Sequence, residues 1–377
     1  MIWLLTFSLF SYALVILQRW IAWRRMPMLK APASFVPSTN LTVIVPVRNE
    51  EKNIRALLGD LEHQYYPREL VEILVIDDHS EDRTVQLIDE LSIGSTMSIR
   101  RVKLEDWPGL RFKKAAVQKG VELAQGELLV LTDGDCRVGR EWLRQYAFLY
   151  ETQRPAFISG PVCFHHTDTL FEKMQLVEFS SLIGIGGASI QLGQPNMCNG
   201  ANLAYTREVF EKVQGFQGNE NIASGDDEFL LHKVHQRFPG KVAFLKSREA
   251  IVYTEARKTL ISFLSQRIRW ASKWKAYQRL EVQLLALCVF LANLLLFISL
   301  PLMIWGGLPV RAVLAGYAVK FVVDFLFLKR VLTFLKKQNH LWYMLPLQLV
   351  YVPYVIFTGV AGLAGRYSWK GRVVHKS

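Results

Sequence analysis

Apolar residues gather at the two ends of this chain, and that distribution limits its fold more than any other feature. Residues 2–17 form a mostly apolar run, and residues 282–305, 312–328 and 341–363 form three more. Each of the three C-terminal runs is near the ~20 residues that a bilayer-crossing helix needs. Residues 40–279, between the ends, carry the ordinary mixture of charged and apolar side chains of a globular domain. A chain of 377 residues has room for one sizeable core between such segments, not several.

Basic and aromatic anchors (Arg19, Trp20, Trp23, Arg24, Arg25) follow the first apolar run, so the positive-inside bias places the globular part in the cytoplasm. Three simple crossings after it would leave the tail outside, although the tail carries Arg366, Lys370, Arg372 and Lys376. Either the last segment, interrupted by Pro346 and Pro353, is re-entrant or interfacial, or the bias fails here. The net charge of +12 and pI near 9.5 suit anionic lipid, a phosphate-rich substrate or nucleic acid, and the apolar segments make nucleic acid the poorest candidate. Cys136, Cys163, Cys198 and Cys288 show no C-x-x-C spacing and fit reduced thiols.

Within the globular part, short β-branched runs at 41–46, 71–76 and 127–132 alternate with helical patterns. That alternation predicts an α/β domain with a mostly parallel sheet, whose sites form where strands end. Two of those ends are acidic: Asp77-Asp78-His79-Ser80, and Asp133-Gly134-Asp135, whose carboxylates two residues apart suit a hard cation with the glycine allowing a ligand close. A third acidic group, Gly225-Asp226-Asp227-Glu228, opens a helix. Residues 258–279, containing Gln266-Arg267-Ile268-Arg269-Trp270, space Leu260, Phe263, Leu264, Ile268 and Trp274 along the apolar side of an amphipathic helix.

In this order the motifs resemble those of the family-2 inverting glycosyltransferases of the GT-A fold, in particular the membrane branch that includes the cellulose, chitin and hyaluronan synthases. The resemblance spans residues 42–275 and implies a GT-A domain at 40–257, a transmembrane helix at 1–25, an interfacial helix at 258–280, about three transmembrane segments at 281–365 and a basic tail at 366–377. It further implies a nucleotide-sugar donor, Mg²⁺ or Mn²⁺, membrane lipids and a lipid or glycan acceptor as partners, and an integral place in the cytoplasmic membrane. By resemblance, Pro46, Arg48, Glu50, Asp77, Asp78 and Lys114 bind the donor. Asp133 and Asp135 hold the metal, with Asp133 also facing donor. Asp227, beside Asp226, is the catalytic base, Arg267 and Arg269 neutralise diphosphate, and Trp270 and Asn202 face the acceptor. The family's T-E-D is replaced by Gly225-Asp226-Asp227, and the few apolar segments favour single transfer over polymer secretion.

Overall fold

A computed structural model describes residues 1–218, 225–273 and 279–364, together with the backbone of 367–369 and 372–374. In chain order the first half contains α1 (Ile2–Arg25), β1 (Leu41–Val47), α2 (Ile54–Glu62), β2 (Val71–Asp77), α3 (Thr84–Gly94), β3 (Ser98–Lys103), α4 (Phe112–Leu123), β4 (Leu128–Leu131), α5 (Trp142–Gln153), β5 (Phe157–Ser159) and β6 (Val162–Phe164). There follow α6 (Leu170–Gln191), β7 (Leu203–Thr206), α7 (Arg207–Lys212), α8 (Asp226–Arg237), β8 (Val242–Phe244) and β9 (Val252–Thr254). The chain ends with α9 (Leu260–Ala271), α10 (Leu280–Ile304), α11 (Val310–Phe334), α12 (Met344–Ala364), β10 (Tyr367–Trp369) and β11 (Arg372–Val374). The packing divides these into two compact units, Met26–His165 with Pro195–Glu255, and Met1–Arg25 with His166–Gln194 and Ala256–Ser377.

The first unit is built on a sheet ordered β3-β2-β1-β4-β7-β5-β8. Strands β1 to β4 run parallel to one another, and β7 lies antiparallel to both β4 and β5. Its central strands are buried on both faces, which is why β1, β2 and β4 read as unbroken apolar runs. Helix α4 closes over β1 at Gly120, where an added Cβ would fall 2.6 Å from Ile44, and Val117 and Val121 enter the same core as Leu74, Leu129 and Leu131. Since β1, β2 and β4 are parallel, residues 48–50, Asp77–Asp78 and Asp133 emerge together at one edge.

The second unit is helical. Three of its described segments are long and apolar enough to cross a membrane: Ile2–Arg25, Leu280–Ile304 and Gln338–Leu363. The expected middle C-terminal segment also forms a helix, α11, yet it carries Lys320 and Asp324 in its interior, so it falls outside that class. Their charges are closed locally: Lys320 Nζ lies 2.6 Å from Asp324, which also accepts from Tyr12 at 2.6 Å. The amphipathic helix expected over 258–280 is described as α9 over Leu260–Ala271, capped by Thr259, and Trp274 lies outside the described residues. Residues His166–Gln194 belong by their packing to this helical unit.

Candidate active site

The loop after β1 and the loop after β2 are laced together side chain by side chain. Arg48 donates to the carbonyls of Asp78 at 2.9 Å and His79 at 2.5 Å and to Glu81 at 3.0 Å. The Asn49 amide donates to Ser80 Oγ, the Glu81 amide to Asn49 Oδ1, and the Glu50 amide to Thr84 Oγ1. Asn49 and His79 both hold the left-handed backbone (φ 53° and 58°), as does Phe112 at the start of α4 (φ 73°). Left-handed backbone costs a non-glycine residue roughly 1–2 kcal/mol, so the surrounding bonds must hold it there. Asp78 is one of those holders, because its carboxylate accepts from the Phe112 amide at 3.2 Å and bonds the His79 ring at 3.0 Å.

Asp77 and Asp78 are both 2% exposed at the end of β2. Burial raises the Asp77 pKa above the ordinary carboxylate value, against the lowering effect of its contacts with Ser80. Pro46, the last but one residue of β1, pairs in register with Ile76, so it sets the strand end next to that carboxylate.

Asp133 follows β4 in a turn closed by the Cys136 amide on its carbonyl at 3.1 Å. Its carboxylate accepts from Lys113 Nζ at 2.5 Å. An added Cβ at Gly134 would fall 2.8 Å from Val47 and 3.0 Å from Glu50, so the glycine of D-G-D is required by the first loop's close approach. Asp135 takes the weak thiol bond of Cys136 at 3.7 Å, and burial raises that thiol's pKa, which suits a packed cysteine and not a nucleophile.

The third acidic group joins the same place. Gly225 starts α8 with a left-handed backbone and no side-chain cap, which puts Asp226, Asp227 and Glu228 in the first helical turn. There they complement the helix dipole. Asp227 accepts from the Gly200 amide at 2.7 Å. A Cβ on Gly200 would fall 3.1 Å from Lys113 Nζ and 3.5 Å from Asp227, so Gly200 fits between the two charges. Burial raises the Asp226 pKa, with Lys113 acting in the opposite sense. Burial alone would lower the Lys113 pKa, but Asp133, Asp226 and Asp227 outweigh it and raise it.

Lys113 therefore stands where the sequence points to Lys114. Lys114 lies with its ammonium 5.6 Å from the centre of the Phe229 ring, on the neighbouring helix. Lys113 and Gly200 lie inside segments the sequence does point to, Lys113-Lys114-Ala115-Ala116 and Asn199-Gly200-Ala201-Asn202, although neither stands out there as a site residue. Asn202, expected to face the acceptor, sits in a hydrogen-bonded core position. It is fully buried, accepts from Trp142 and Tyr146 at 2.9 and 2.7 Å, and donates to the carbonyls of Pro161 and Ala250 at 2.7 and 2.9 Å. With both amide protons and its oxygen engaged, it ties α5 to the segments around Pro161 and Ala250.

The Gln266–Trp270 motif lies in the helical unit. Arg267 forks onto Glu178 of α6 at 3.0 and 2.5 Å, both side chains nearly fully buried, and its guanidinium covers Trp270 at 4.3 Å. Tyr354 donates a further bond to Glu178 at 3.2 Å. The guanidinium expected on a donor diphosphate is thus held by a carboxylate here, and Trp270 lies under Arg267 with Phe179 tilted against it at 6.2 Å. Arg269, on the same helix, accepts the Ser272 hydroxyl at its carbonyl.

With this geometry in view, residues 42–214 match the model of glycosyl transferase family 2. The chain carries a glycosyl transferase family 2 domain. The glycosyltransferase AglE of Haloferax volcanii is 27% identical over 194 residues, covering 49% of this chain and 58% of that protein. A beta-monoglucosyldiacylglycerol synthase of Trichormus variabilis is 25% identical over 242 residues, covering 63% and 49%. The alignments thus span about half the length of these curated relatives. Among solved structures, the mannosyltransferase PcManGT of Pyrobaculum calidifontis, in complex with GDP-Man and Mn²⁺, shares the fold at a TM-score of 0.59 and 20% identity, covering 93% of this chain and 99% of that one. The mostly parallel sheet of this family 2 domain is the one typical of GT-A.

Proposed function

We propose that the protein is an inverting glycosyltransferase that moves a sugar from a nucleotide-diphosphate donor, probed first as UDP-sugars, to a lipid or glycan acceptor at the cytoplasmic membrane. The observation that carries this is that Asp133, bonded to Lys113, and Asp227, bonded to the Gly200 amide beside the same ammonium, meet where the loops after β1 and β2 emerge. Carboxylates outnumber cations there, as a site awaiting a divalent ion and a diphosphate requires. The synthase of Trichormus variabilis makes beta-monoglucosyldiacylglycerol by its name, and PcManGT was crystallised with GDP-Man and Mn²⁺. Both support the reading.

Asp133 and Asp135 fit a Mg²⁺ or Mn²⁺ ion. They are half-exposed carboxylates on one turn, and no cluster of three or more metal-ligating side chains exists among the described residues, so the remaining ligands would be diphosphate oxygens and water. Such an ion, when bound, stabilises charge on the departing nucleotide. The protein's own groups do the rest. Asp77 and Asp78 close the base and ribose pocket with Arg48, Glu50 and Pro46 shaping its rim. Lys113, freed from Asp133, faces the diphosphate, with Lys114 behind it. Asp227 takes the proton of the acceptor hydroxyl as that oxygen attacks the anomeric carbon from the side opposite the nucleotide, and Asp226 sets its charge environment. Arg267, Arg269 and Trp270 keep a proposed supporting part in donor and acceptor binding.

The test is nucleoside diphosphate release by the purified, lipid-reconstituted protein with a panel of nucleotide sugars, Mn²⁺ or Mg²⁺ and membrane lipid extract. Donor-specific turnover is expected, and Asp227→Asn should lower it by about 10²–10⁴-fold. Well-folded protein that turns over no donor would overturn the proposal.

A further inference from the structure

The helical unit contains the information needed to orient its own helices. Leu9 of α1 meets Gly316 of α11, where an added Cβ would fall 2.9 Å from the leucine; Tyr12 bonds Asp324; and Trp23 packs edge-on against Phe334 at 5.5 Å. The paired numbers rise together, so α1 and α11 run parallel. Leu296 of α10 packs with Leu5 and Leu9 and accepts from Tyr317 at 3.1 Å. Because α10 leads into α11 through the short 305–309 turn, it runs antiparallel to both. Arg24 and Arg25 therefore lie at the same end as Lys329, Arg330, Lys336 and Lys337, while the 305–309 turn marks the other end with Arg311.

Helix α12 does not follow that axis. It begins after the 338–343 segment, where His340 bonds Thr167 at 3.0 Å just ahead of α6, so its start is at the basic end. With 21 residues at ~1.5 Å each it is long enough to reach the far end. Instead Tyr354 bonds Glu178 of α6 and packs on Phe263 of α9, and Gly359 lies against Phe290, partway along α10. Its last turn closes on the end of α9: an added Cβ at Gly362 would fall 2.9–3.1 Å from Ala271 and Ser272. The following strand, β10, also packs on α9. Helix α9 in turn starts at the basic end, since Lys258, just before it, pairs with Glu172 in the first turn of α6 at 2.8 Å.

Both ends of α12 thus belong to the layer formed by α6 and α9. Its outward residues, Leu345, Leu349, Val350, Phe357, Val360 and Leu363, are exposed, Leu349 by 81%. We infer that α12 lies within the leaflet on the basic side, with these side chains seated among its acyl chains, and that α1, α10 and α11 are the three crossings. Acyl chains are the fitting occupant because the patch is wholly apolar and adjoins further exposed apolar side chains on the helices it packs against, Leu260 and Ile261 of α9 and Leu284 and Leu287 of α10. The Lys320–Asp324 pair makes a charged α11 tolerable in the bilayer, since each charge compensates the other. With three crossings the basic tail stays on the side of Arg24 and Arg25, and the conflict with the positive-inside bias disappears.

The experiment adds one cysteine at a time to the full chain, either Gly307→Cys or a cysteine appended after Ser377. Vesicles of each orientation are labelled with an impermeant maleimide, with the parent protein as the blank. The two cysteines should label from opposite sides; labelling from the same side overturns the inference. Spin labels on Leu349→Cys and Val360→Cys give a second readout. A helix in the leaflet puts both at similar depth, whereas a spanning one separates them by ~16 Å, and that separation would equally sink the idea.

Discussion

The molecule treats ionised side chains in two different ways. In the helical unit two buried cations each have a carboxylate of their own: Arg267 and Glu178 are 4% and 5% exposed, and Lys320 and Asp324 are 1% and 12% exposed. In the family 2 domain Lys113 and Asp133 keep 24% and 33% of their side-chain surface open, and Asp226 and Asp227 also act on that ammonium. A closed, balanced pair completes a packed interior, and removing one partner leaves an uncompensated charge. An open, unbalanced cluster is finished by something from outside. The two arrangements contain the same residue types, so burial and stoichiometry, not composition, separate structure from site.

The sharpest way to break this comparison is Arg267→Ala. It should cost about 3–5 kcal/mol of stability, read by denaturant unfolding in detergent, whereas the paired change Arg267→Met with Glu178→Leu should recover most of it. An unchanged unfolding midpoint together with a raised donor KM would instead return Arg267 to the donor site. Asn202→Leu comes next, at about 3 kcal/mol, since it strands the donors of Trp142 and Tyr146 and two carbonyls. The same unfolding assay reads it, and the acceptor KM of the folded protein should not move. Gly134→Ala should cost about 1–3 kcal/mol through its clash with Val47 and Glu50, with differential scanning calorimetry as the check. The smallest effect sharpens the open cluster: Lys113→Met should tighten Mn²⁺ binding about tenfold, or ~1.4 kcal/mol, in donor-free calorimetry, because the ammonium competes for Asp133. Weaker binding would mean that Lys113 supports the ion.

Much of this was legible in the sequence because parallel strands buried on both faces leave an unbroken apolar run, and the polar residue ending each run is already at the site edge. That rule finds Asp77, Asp78 and Asp133. It does not find β7, a four-residue antiparallel strand whose signal is too short, and so Asn202 at its start passes for a loop residue. Choosing between Lys113 and Lys114 needs the rotational phase of α4 on the sheet, where Val117, Gly120 and Val121 face inward, and the adjacent lysines give no sign of it. The partner of Arg267 lies 89 residues away, beyond any local pattern, whereas Lys320 and Asp324 at i,i+4 could have been paired from spacing alone.

The left-handed backbones of Asn49, His79 and Phe112 bear on how this protein can be improved or can drift. Each is a position where glycine would relieve conformational cost, so a search for hardier variants will be drawn to them. Each also orders the loops through a bond that glycine would loosen or lose: Asn49 to the Glu81 amide, the His79 ring to Asp78, and the Phe112 amide to Asp78. Selection for heat resistance alone would therefore trade away turnover at these three positions first.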